Sequence, residues 1–226
     1  MTPMSLSIII PVLNEGNGIA ATLQALAPLR ARGVQVIVVD GGSQDDSLAQ
    51  AQPFVDHALA GPQGRARQMN TGAALAQGDV LLFLHADTRL PDAADVLVLA
   101  AIGAGARWGR FDVLIEGHSP MLRVVAAMMN LRSRLSGIAT GDQAIFVQRA
   151  AFEAIGGFPD QALMEDIEMS ERLGRSGAPA CLYARVRTSG RRWESRGVWR
   201  TIALMWCLRW RYWLGASPEQ LERAYR

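Results

Sequence analysis

Polar side chains follow three apolar segments in the first half of the chain, each at the point where the segment ends. Asn14 follows the first segment, Asp40 ends the second and Asp87 lies just after the third. A single such residue often caps the helix that comes next, and Asn14 is a typical capping residue. Asp40 is poorly placed to cap, because it ends an apolar segment and precedes two glycines. Three polar ends together therefore indicate a ligand pocket at which carboxylates gather.

Two common nucleotide-binding motifs are missing from these segment ends. After the first segment the chain reads Pro11-Val12-Leu13-Asn14-Glu15-Gly16, which is not the Gly-x-Gly-x-x-Gly pattern of dinucleotide-binding domains. A Walker A loop is also missing from the sequence. The third end, His85-Ala86-Asp87, has histidine where a phosphatase motif needs an attacking carboxylate. These patterns argue against a Rossmann oxidoreductase, a P-loop enzyme and a phosphatase of that type.

The polar residues must be positioned by regular elements, and apolar segments of strand length alternate with segments of helical period along the first half. The strands lack a polar face, so they fit a parallel sheet covered by helices on both sides, with ligands at the carboxyl ends of the strands. This indicates an α/β fold with a doubly wound, mostly parallel central sheet. The predicted strands span residues 6–13, 35–40, 55–59 and 79–84, and the predicted helices span 19–32, 45–52 and 65–76.

The second half of the chain is more mixed, but nothing in it suggests a domain boundary. No repeat, low-complexity stretch or long Pro/Gly/Ser linker occurs, and 226 residues are an ordinary length for one domain. We therefore predict a single domain over residues 1–226. Helices are predicted over 91–104, 121–135, 165–175, 198–214 and 218–225, and extended segments over 111–116 and 144–148.

Composition places the chain among ordinary globular proteins. Its residues are 50% hydrophobic and 19% charged, which excludes a disordered or fibrous chain. The two cysteines, Cys181 and Cys207, are too few for a disulfide framework and fit a reducing compartment. No apolar run reaches the roughly 18 residues of a membrane span, and no signal peptide is visible. We therefore expect a cytoplasmic protein, either free or peripheral on the inner face of the cell membrane.

Several short motifs resemble those of one enzyme family. The segments Ile8-Ile9-Ile10-Pro11-Val12-Leu13-Asn14-Glu15 and Val38-Val39-Asp40-Gly41-Gly42-Ser43-Gln44-Asp45 resemble the opening of family 2 glycosyltransferases of the GT-A fold. Each motif alone is weak, whereas the ordered set at natural spacing is specific. The resemblance extends over nearly the whole chain and is closest to a small bacterial subgroup of unassigned substrate. Further motifs of this set lie at 65–72, 84–88, 141–143, 164–166 and 190–193.

The resemblance implies an inverting transferase that moves a sugar from a nucleotide-sugar donor, with a UDP-sugar favoured, to a hydroxyl or lipid-linked acceptor. It divides the chain into a nucleotide-binding half over 1–90, an acceptor and catalytic half over 91–190 and basic C-terminal helices over 191–226. Gly41 and Gly42 would let the backbone approach the nucleotide without a Cβ atom. The implied nucleotide-binding residues are Pro11, Asn14, Glu15, Asp40, Gly41, Gly42, Arg65 and Ala86.

Metal dependence is implied by the position of Asp87, which corresponds to the last acid of the family's Asp-x-Asp motif. Mg²⁺ or Mn²⁺ bound there would act as a Lewis acid on the leaving diphosphate. His85 replaces the first acid of the motif, a departure from the commonest pattern, and adds no negative charge. His85 is therefore either a second metal ligand, a contact to ribose or phosphate, or a buried histidine paired with a backbone carbonyl.

The acidic pair at Glu165 and Asp166 supplies, in this family, the general base that takes the proton from the acceptor hydroxyl. We expect Asp166 to be this base, with Glu165 as the second choice, and the competing explanation is capping of a helix N-terminus. Asp142 either binds acceptor or sugar hydroxyls or belongs to an ordinary turn. The residues implied for the acceptor or the diphosphate are Asp142, Gln143, Arg191, Arg192 and Trp193.

The C-terminal part of the chain is strongly basic. Residues 182–226 contain ten arginines and three acids, a net charge of 10 − 3 = +7 in a chain whose total is +2. On a helix over 198–214, four tryptophans would share one stripe with arginines beside it. The stripe either packs between two layers of the core or lies at the surface of a membrane. Nucleic-acid binding is not expected, because the arginines form no long run and accompany no known nucleic-acid-binding motif.

Two other functions stay open at the level of sequence. A nucleotidyltransferase also gathers carboxylates around a metal at a similar sheet. Such enzymes usually open with a glycine-rich loop that carries a basic residue, and Asn14-Glu15-Gly16-Asn17-Gly18 has none. A non-catalytic nucleotide-binding protein derived from a glycosyltransferase is expected to lose Asp87 or the acidic pair at 165–166, and both are present. The retained acids favour the transferase.

Overall fold

Strands and helices alternate along both halves of the chain, although the sequence indicates this clearly only for the first half. The computed structural model describes residues 4–225, and within them eight strands form one sheet in the order β3-β2-β1-β4-β7-β6-β8-β5. Residues 1–3 and 226 of the predicted domain lie outside the described part. The strands are β1 (Leu6–Val12), β2 (Gln35–Asp40), β3 (His57–Ala60), β4 (Val80–Phe83), β5 (Thr88–Arg89), β6 (Trp108–Glu116), β7 (Phe146–Gln148) and β8 (Ala180–Ser189).

Helices cover the sheet and form the C-terminal part of the chain. Of the helices within residues 4–225, none is long and apolar enough to cross a membrane. Two short 3-10 turns, at Gln52–Phe54 and Gly141–Gln143, complete the regular structure of this part. The helices are α1 (Ile19–Gln24), α2 (Ala27–Ala31), α3 (Ser47–Ala51), α4 (Arg65–Leu75), α5 (Ala94–Gly103), α6 (Met121–Ser136), α7 (Arg149–Ala154), α8 (Glu165–Gly174), α9 (Arg191–Arg196), α10 (Val198–Trp213) and α11 (Pro218–Tyr225).

β1 is the centre of a parallel half of the sheet. It pairs in parallel with β2 on one side and with β4 on the other, so that Ile9 lies opposite Ile37 and Phe83. β3 extends this half through a parallel pairing with β2. The prediction of a doubly wound α/β fold with a parallel centre is confirmed. Because parallel strands end on the same side, the polar segments after β1, β2 and β4 meet at one edge.

Both faces of β1, β2 and β4 are buried, which explains why these three strands are apolar at nearly every position. Ile8 and Ile10 belong to one hydrophobic cluster, together with Val98 of α5. Ile9 points to the opposite face and belongs to a second cluster with Met69 of α4. Successive side chains of a strand point to opposite faces, so one apolar run contributes to two cores.

The other half of the sheet is mixed, and the sequence did not predict all of it. β7 runs antiparallel to both β4 and β6, whereas β6 is parallel to β8 and β5 is antiparallel to β8. β8 was not predicted. Its Arg185 and Arg187 are exposed while Val186 and Thr188 are buried, so the apolar positions of the strand are sparse. A strand with charged side chains on one face lacks the continuous apolar signal of the buried strands.

Two further differences concern helices. The helix predicted over 19–32 is two helices, α1 and α2, separated at Ala25 and Leu26. Pro28, near the start of α2, has no N–H group and is tolerated only in the first turn of a helix, so a single helix through this position is disfavoured. α7 was not predicted either. The remaining predicted elements are present with shifted ends.

A charged network is buried between β6 and α6. The guanidinium of Arg110 has no exposed surface and donates hydrogen bonds to the Asp112 carboxylate and, at 3.0 Å, to Ser133 Oγ. Arg134 Nη2 donates to both carboxylate oxygens of Asp112 at 2.8 Å. One carboxylate therefore neutralises two guanidinium groups, and β6 is joined to α6 through it.

Replacing Asp112 should destabilise the fold strongly. In the Asp112→Asn variant the buried Arg110 would lose its countercharge, which typically costs about 3–5 kcal/mol of unfolding free energy. Urea denaturation of both proteins measures the difference. The matched control is Asp160→Asn, which removes an exposed ion pair with Arg67 and should cause a much smaller loss. Equal losses in the two variants would contradict a buried network that depends on Asp112.

Candidate active site

The loops after β1 and β2 are joined by hydrogen bonds into one rim. The Asn14 N–H donates to Ser43 Oγ at 2.8 Å, and the Gln44 N–H donates to Asn14 Oδ1 at 2.8 Å. The Glu15 N–H donates to Ser47 Oγ at 2.8 Å. Asn14 and Glu15, both predicted as nucleotide contacts, therefore lie beside the Asp40 turn, as the strand order requires.

The Asp40 carboxylate stabilises this rim through hydrogen bonds. This buried carboxylate accepts hydrogen bonds from the Gly42 N–H at 3.1 Å, from the Ser43 N–H at 2.9 Å and from the Ser43 hydroxyl. Asp40 thus closes the turn over Gly42 and Ser43 and does not cap α3, whose N-cap residue is Asp46. Each carboxylate oxygen accepts about two hydrogen bonds, so Asp40 keeps capacity for a ligand.

Gln68 of α4 supports the same rim, and the sequence did not single it out. Its buried Nε2 donates to the carbonyl oxygens of Val12 and Val39, both at 2.8 Å, and so joins the ends of β1 and β2. A Cβ atom on Gly41 would lie 2.9 Å from the Gln68 carboxamide. Gly42 has a φ of +94°, which L side chains rarely adopt. Packing and backbone geometry thus require both glycines even before a nucleotide binds.

His85 packs on the turn that carries Asp142. His85 Nδ1 lies 3.2 Å from Asp142 Oδ1, and a Cβ atom on Gly141 would lie 2.3 Å from His85 Nε2. Burial acts to raise the pKa of Asp142, but the hydrogen bond from His85 and the charges of His85 and Arg65 outweigh it and lower the pKa. Gln143 is fully buried and forms a capping box with Thr140, so its side chain holds the turn.

Glu165 and Asp166 begin α8 and face the same turn. Asp166 Oδ2 accepts a hydrogen bond from the Gly141 N–H at 2.9 Å, and Asp166 Oδ1 accepts one from the Ile167 N–H at 2.8 Å. The Glu165 side chain is only 4% exposed, and its Oε1 lies 3.4 Å from Arg65 Nη1. The structure therefore brings together Arg65, Asp142, Glu165 and Asp166, which are up to a hundred residues apart in the chain.

The electrostatics of this pair make Asp166 a proton acceptor near neutral pH. Burial, together with the neighbouring charge of Glu165, raises the pKa of Asp166 to about 6. The Gly141 N–H and the charge of Arg65 act in the opposite direction but only partly offset the increase. A carboxylate with such a pKa is ionised at pH 7 and is a stronger base than an ordinary aspartate.

Basic residues from the C-terminal part face this region. Arg191 Nη2 lies 3.3 Å from Glu15 Oε2, and Arg192 Cζ lies 3.7 Å from the centroid of the Tyr225 ring. Burial raises the pKa of Tyr225, and the charges of Arg192 and Arg65 oppose this shift. Trp193 packs against the hydrophobic core. Tyr225, which the sequence did not single out, therefore lies near the charged groups of the site.

Backbone strain is concentrated at the site. Among the described residues, the non-glycine residues with positive φ are Asn14, Ala144 and Met164, at 55°, 47° and 68°. Each is next to a loop that carries predicted site residues. Such conformations cost about 1–3 kcal/mol each and persist only where the surroundings enforce them. Their position indicates that the shape of these loops is maintained at a cost in the stability of the fold.

The residues around Asp87 fit a metal ion that is carried by a substrate. Within residues 4–225, no group of three or more histidine, cysteine, aspartate and glutamate side chains could hold a metal ion. Asp87 itself is partly exposed at the edge of the sheet, and His85 Nδ1 is directed at Asp142. Mg²⁺ is commonly bound by one or two carboxylates plus substrate phosphates, and a single carboxylate suits that mode.

A narrow cleft at this edge combines the charged groups with an apolar wall. Ala86 is buried and Pro11 is partly buried behind it at the sheet edge. The cleft places the cation of Arg65 beside the acidic pair of Glu165 and Asp166. Its lining residues are Arg65, Met69, Phe83, His85, Gly141, Ile145, Phe158, Glu165 and Asp166.

The first half of the chain matches a known family. Residues 7–107 match the sequence model of Glycosyl transferase family 2. An uncharacterized glycosyltransferase of Mycobacterium tuberculosis is 36% identical over 108 residues, covering 45% of this chain and 41% of the relative. The probable glycosyltransferase YdaM of Bacillus subtilis is 27% identical over 226 residues, covering 88% of this chain and 54% of the relative. The chain thus spans about half the length of these relatives.

Solved structures share the fold over most of the chain. A Staphylococcus aureus TarS structure in complex with UDP-GlcNAc has a TM-score of 0.68 at 17% identity, covering 82% of this chain and 58% of that one. The mannosyltransferase PcManGT from Pyrobaculum calidifontis, in complex with GDP-Man and Mn²⁺, has a TM-score of 0.67 at 19% identity, covering 100% of this chain and 70% of that one. The fold is therefore the GT-A fold. The motifs that resemble family 2 glycosyltransferases are confirmed over the first half of the chain, where residues 7–107 match the model of that family.

The pKa of Asp166 predicts an unusual pH dependence of stability. Because the folded protein holds this carboxyl at a pKa of about 6, above its ordinary 3.8, it binds the proton more tightly than the unfolded chain does. The free energy of unfolding of the wild type, relative to Asp166→Asn, should therefore rise as the pH falls from about 7 to about 4. Denaturant titrations at several pH values measure this difference.

Asp160→Asn provides a control of opposite sign. The hydrogen bond from Arg67 lowers the pKa of Asp160, so the wild type should lose its advantage over this variant as the pH falls through the lowered value. A pH-independent difference between the wild type and Asp166→Asn would show that the pKa of Asp166 is not raised by folding.

Proposed function

We propose that the chain is an inverting, metal-dependent glycosyltransferase that moves a sugar from a nucleotide-sugar donor to a hydroxyl or lipid-linked acceptor. The observation that carries the proposal is the position of Asp166, a carboxylate in the cleft whose pKa burial and the charge of Glu165 raise to about 6. The match to this family supports the donor class, since the members of the family are sugar transferases. The bound UDP-GlcNAc and GDP-Man of the structural neighbours support a nucleoside diphosphate sugar.

The donor's nucleoside is proposed to bind at the rim formed by the ends of β1 and β2. Asp40 keeps one accepting position on the oxygen that receives the Ser43 hydroxyl, and the N–H group of a uracil base can fill it. A UDP-sugar is the donor that we propose on this basis and on the resemblance of the Asp40 motif to the family. Pro11, Asn14 and Glu15 line the same rim, and Ala86 is the neighbouring residue at the end of β4.

The diphosphate is proposed to lie between basic residues and Asp87. Arg65 is 45% exposed despite its ion pair with Glu165, so its guanidinium can also reach a phosphate. Arg191 and Arg192 approach from the C-terminal side, and bidentate guanidinium contacts suit phosphate oxygens. Mg²⁺ or Mn²⁺ held by Asp87 and the phosphates, with His85 as a candidate second ligand, would polarise the leaving diphosphate as a Lewis acid.

Asp166 is proposed to act as the general base. The acceptor oxygen attacks the anomeric carbon, the bond from that carbon to the diphosphate oxygen breaks, and the acceptor proton passes to the Asp166 carboxylate. Glu165 is paired with Arg65, which leaves Asp166 as the base of the pair. One base and a single displacement invert the anomeric centre. Asp142, with its lowered pKa, is available for sugar or acceptor hydroxyls.

Two alternatives have distinct signatures. A nucleotidyltransferase would release diphosphate from a nucleoside triphosphate, and a non-catalytic protein would bind a nucleotide without turnover. The raised pKa of Asp166 argues against a non-catalytic protein. Burying a carboxylate beside another acid destabilises the fold, and a protein without catalysis gains nothing from it. The match to a glycosyltransferase family argues against a nucleotidyltransferase.

Nucleotide binding should stabilise the protein in a metal-dependent way. UDP or a UDP-sugar, with Mn²⁺, is expected to raise the melting temperature, because a ligand at about 100 times its Kd contributes roughly 2.7 kcal/mol to folding. Asp87→Ala should remove the metal-dependent part of this shift. Differential scanning fluorimetry with UDP, GDP, CMP and their sugars tests it.

The matched control is Asp92→Ala, which removes an exposed acid outside the cleft and should leave the shift intact. If no nucleotide changes the melting temperature, with or without metal, the donor site proposed at the β1 and β2 rim is wrong.

Removal of the base should abolish turnover without removing donor binding. Asp166→Asn is expected to slow hydrolysis of the bound nucleotide sugar by roughly 10²–10⁴-fold, the usual contribution of general-base catalysis. The wild-type rate should rise with pH and level off above about 6, where Asp166 is ionised. Release of the nucleoside diphosphate measures the rate, and the thermal shift measures binding. The control is Glu171→Gln, which replaces an exposed acid of the same helix and should change neither the turnover rate nor the thermal shift. Wild-type turnover in Asp166→Asn would contradict the assignment of Asp166 as the base.

A further inference from the structure

α10 exposes a stripe of tryptophans to solvent. The side chains of Trp199, Trp206, Trp210 and Trp213, here named the tryptophan face, are between 63% and 77% exposed. Their spacing of seven, four and three residues puts them on one side of the helix, and the rings of Trp210 and Trp213 contact each other at 5.7 Å between centroids. Tryptophan is usually well buried, so four exposed side chains in one stripe mark an interaction surface.

The core of the protein does not need the tryptophan face, because α10 is anchored by its other side. Leu208 is buried in a cluster with Met164, Ile167 and Leu221, and Leu204, Met205 and Tyr212 pack against that cluster. Thr201 is also buried. Of the two explanations that the sequence leaves open, packing of this stripe between two core layers does not describe the structure.

Charge on α10 has only one sign. Residues 198–217 contain no aspartate or glutamate, while Arg200, Arg209 and Arg211 belong to the helix. At 100° per residue, Arg209 lies on one flank of the tryptophan face and Arg200 and Arg211 lie on the other. An apolar stripe between two cationic flanks is the arrangement of a helix that lies in the headgroup region of an anionic membrane.

A second apolar stripe lies on α6. Val124, Met128, Leu131 and Leu135 follow one face of that helix and are between 50% and 80% exposed. Ile138, which follows α6, packs in the cluster that anchors α10. The residue that follows the C-terminal end of α6 therefore lies close to the buried side of α10.

We propose that the tryptophan face docks the protein on an anionic phospholipid bilayer, with α10 parallel to the surface. Tryptophan rings are favoured at headgroup depth because the ring is apolar and its N–H can still be hydrated. A second copy of the chain fits the face less well. In a symmetric contact of α10 with itself, the arginines would face a surface that carries no acid. The lipid contact does not depend on the proposed transfer reaction.

Docking would place the active site close to the bilayer. α10 packs on the start of α8 through Met164 and Ile167, and Tyr212 Oη donates to Glu168 Oε2 at 3.3 Å. Met164 directly precedes Glu165 and Asp166.

Vesicle sedimentation tests the contact. The wild type is expected to sediment with vesicles of phosphatidylglycerol and phosphatidylcholine, less so at high salt, and weakly with phosphatidylcholine alone, because screening weakens attraction to anionic lipid. Trp206→Ser/Trp210→Ser and Arg200→Glu/Arg211→Glu should each lower the partition coefficient by at least about tenfold. A blue shift of tryptophan fluorescence should accompany binding of the wild type.

Matched controls distinguish an effect of the tryptophan face from an effect of exposed apolar surface or net charge elsewhere on the protein. Val96→Ser removes an exposed apolar side chain of α5, and Arg107→Glu/Arg175→Glu makes the same change in net charge at exposed arginines outside α10. Both should bind as the wild type does. All variants should keep the thermal shift with nucleotide, so that loss of lipid binding is distinguished from loss of the donor site.

Three results would overturn the proposal. The first is a wild type that does not sediment with anionic vesicles. The second is a tryptophan variant that binds them as well as the wild type. The third is a wild type that is dimeric in solution and becomes monomeric in Trp206→Ser/Trp210→Ser, which would assign the face to a second copy of the chain.

Discussion

The parallel pairing of β1 with both β2 and β4 is the constraint on which the site depends. Parallel neighbours must end on the same side of a sheet, so the segments after these strands meet at one edge. A hydrogen bond from the Gln44 N–H to Asn14 and hydrogen bonds from Gln68 to the carbonyls of β1 and β2 then join the strand ends into a rim. Without this pairing, Asp40 and Asp87 would be unrelated acids in two separate turns.

The second half of the chain positions Asp166, the acid proposed as the general base, through a different mechanism. The turn at Gly141–Gln143 presents an N–H group to Asp166, and the absence of a side chain at Gly141 lets His85 pack against the turn. Burial and the charge of Glu165 then raise the pKa of Asp166, while Arg65 limits the increase. The left-handed conformation of Met164, just before the acidic pair, indicates that positioning these acids has a cost in stability.

The C-terminal helices contribute both to the candidate active site and to the exposed surface of the molecule. α9 and α11 bring Arg191, Arg192 and Tyr225 to the cleft, and α10 turns its tryptophans outward. The buried side of α10 supports the beginning of α8 through the cluster that contains Met164. A single short segment therefore connects the surface proposed to contact lipid with the acids proposed to perform the transfer.

The sequence by itself determined the α/β class, the buried strands and the family motifs of the first half. These strands are apolar at nearly every position, and their polar ends occur in ordered motifs that are readable one residue after another. Tertiary structure alone decided what depends on distant residues meeting. β8 has few apolar positions and forms by pairing with β6, and Gln68 acts on the ends of two strands at once. The pKa of Asp166 depends on burial, and the exposure of the tryptophan face depends on which side of α10 finds a partner. No local pattern records those neighbours, because they are brought together only when the chain folds.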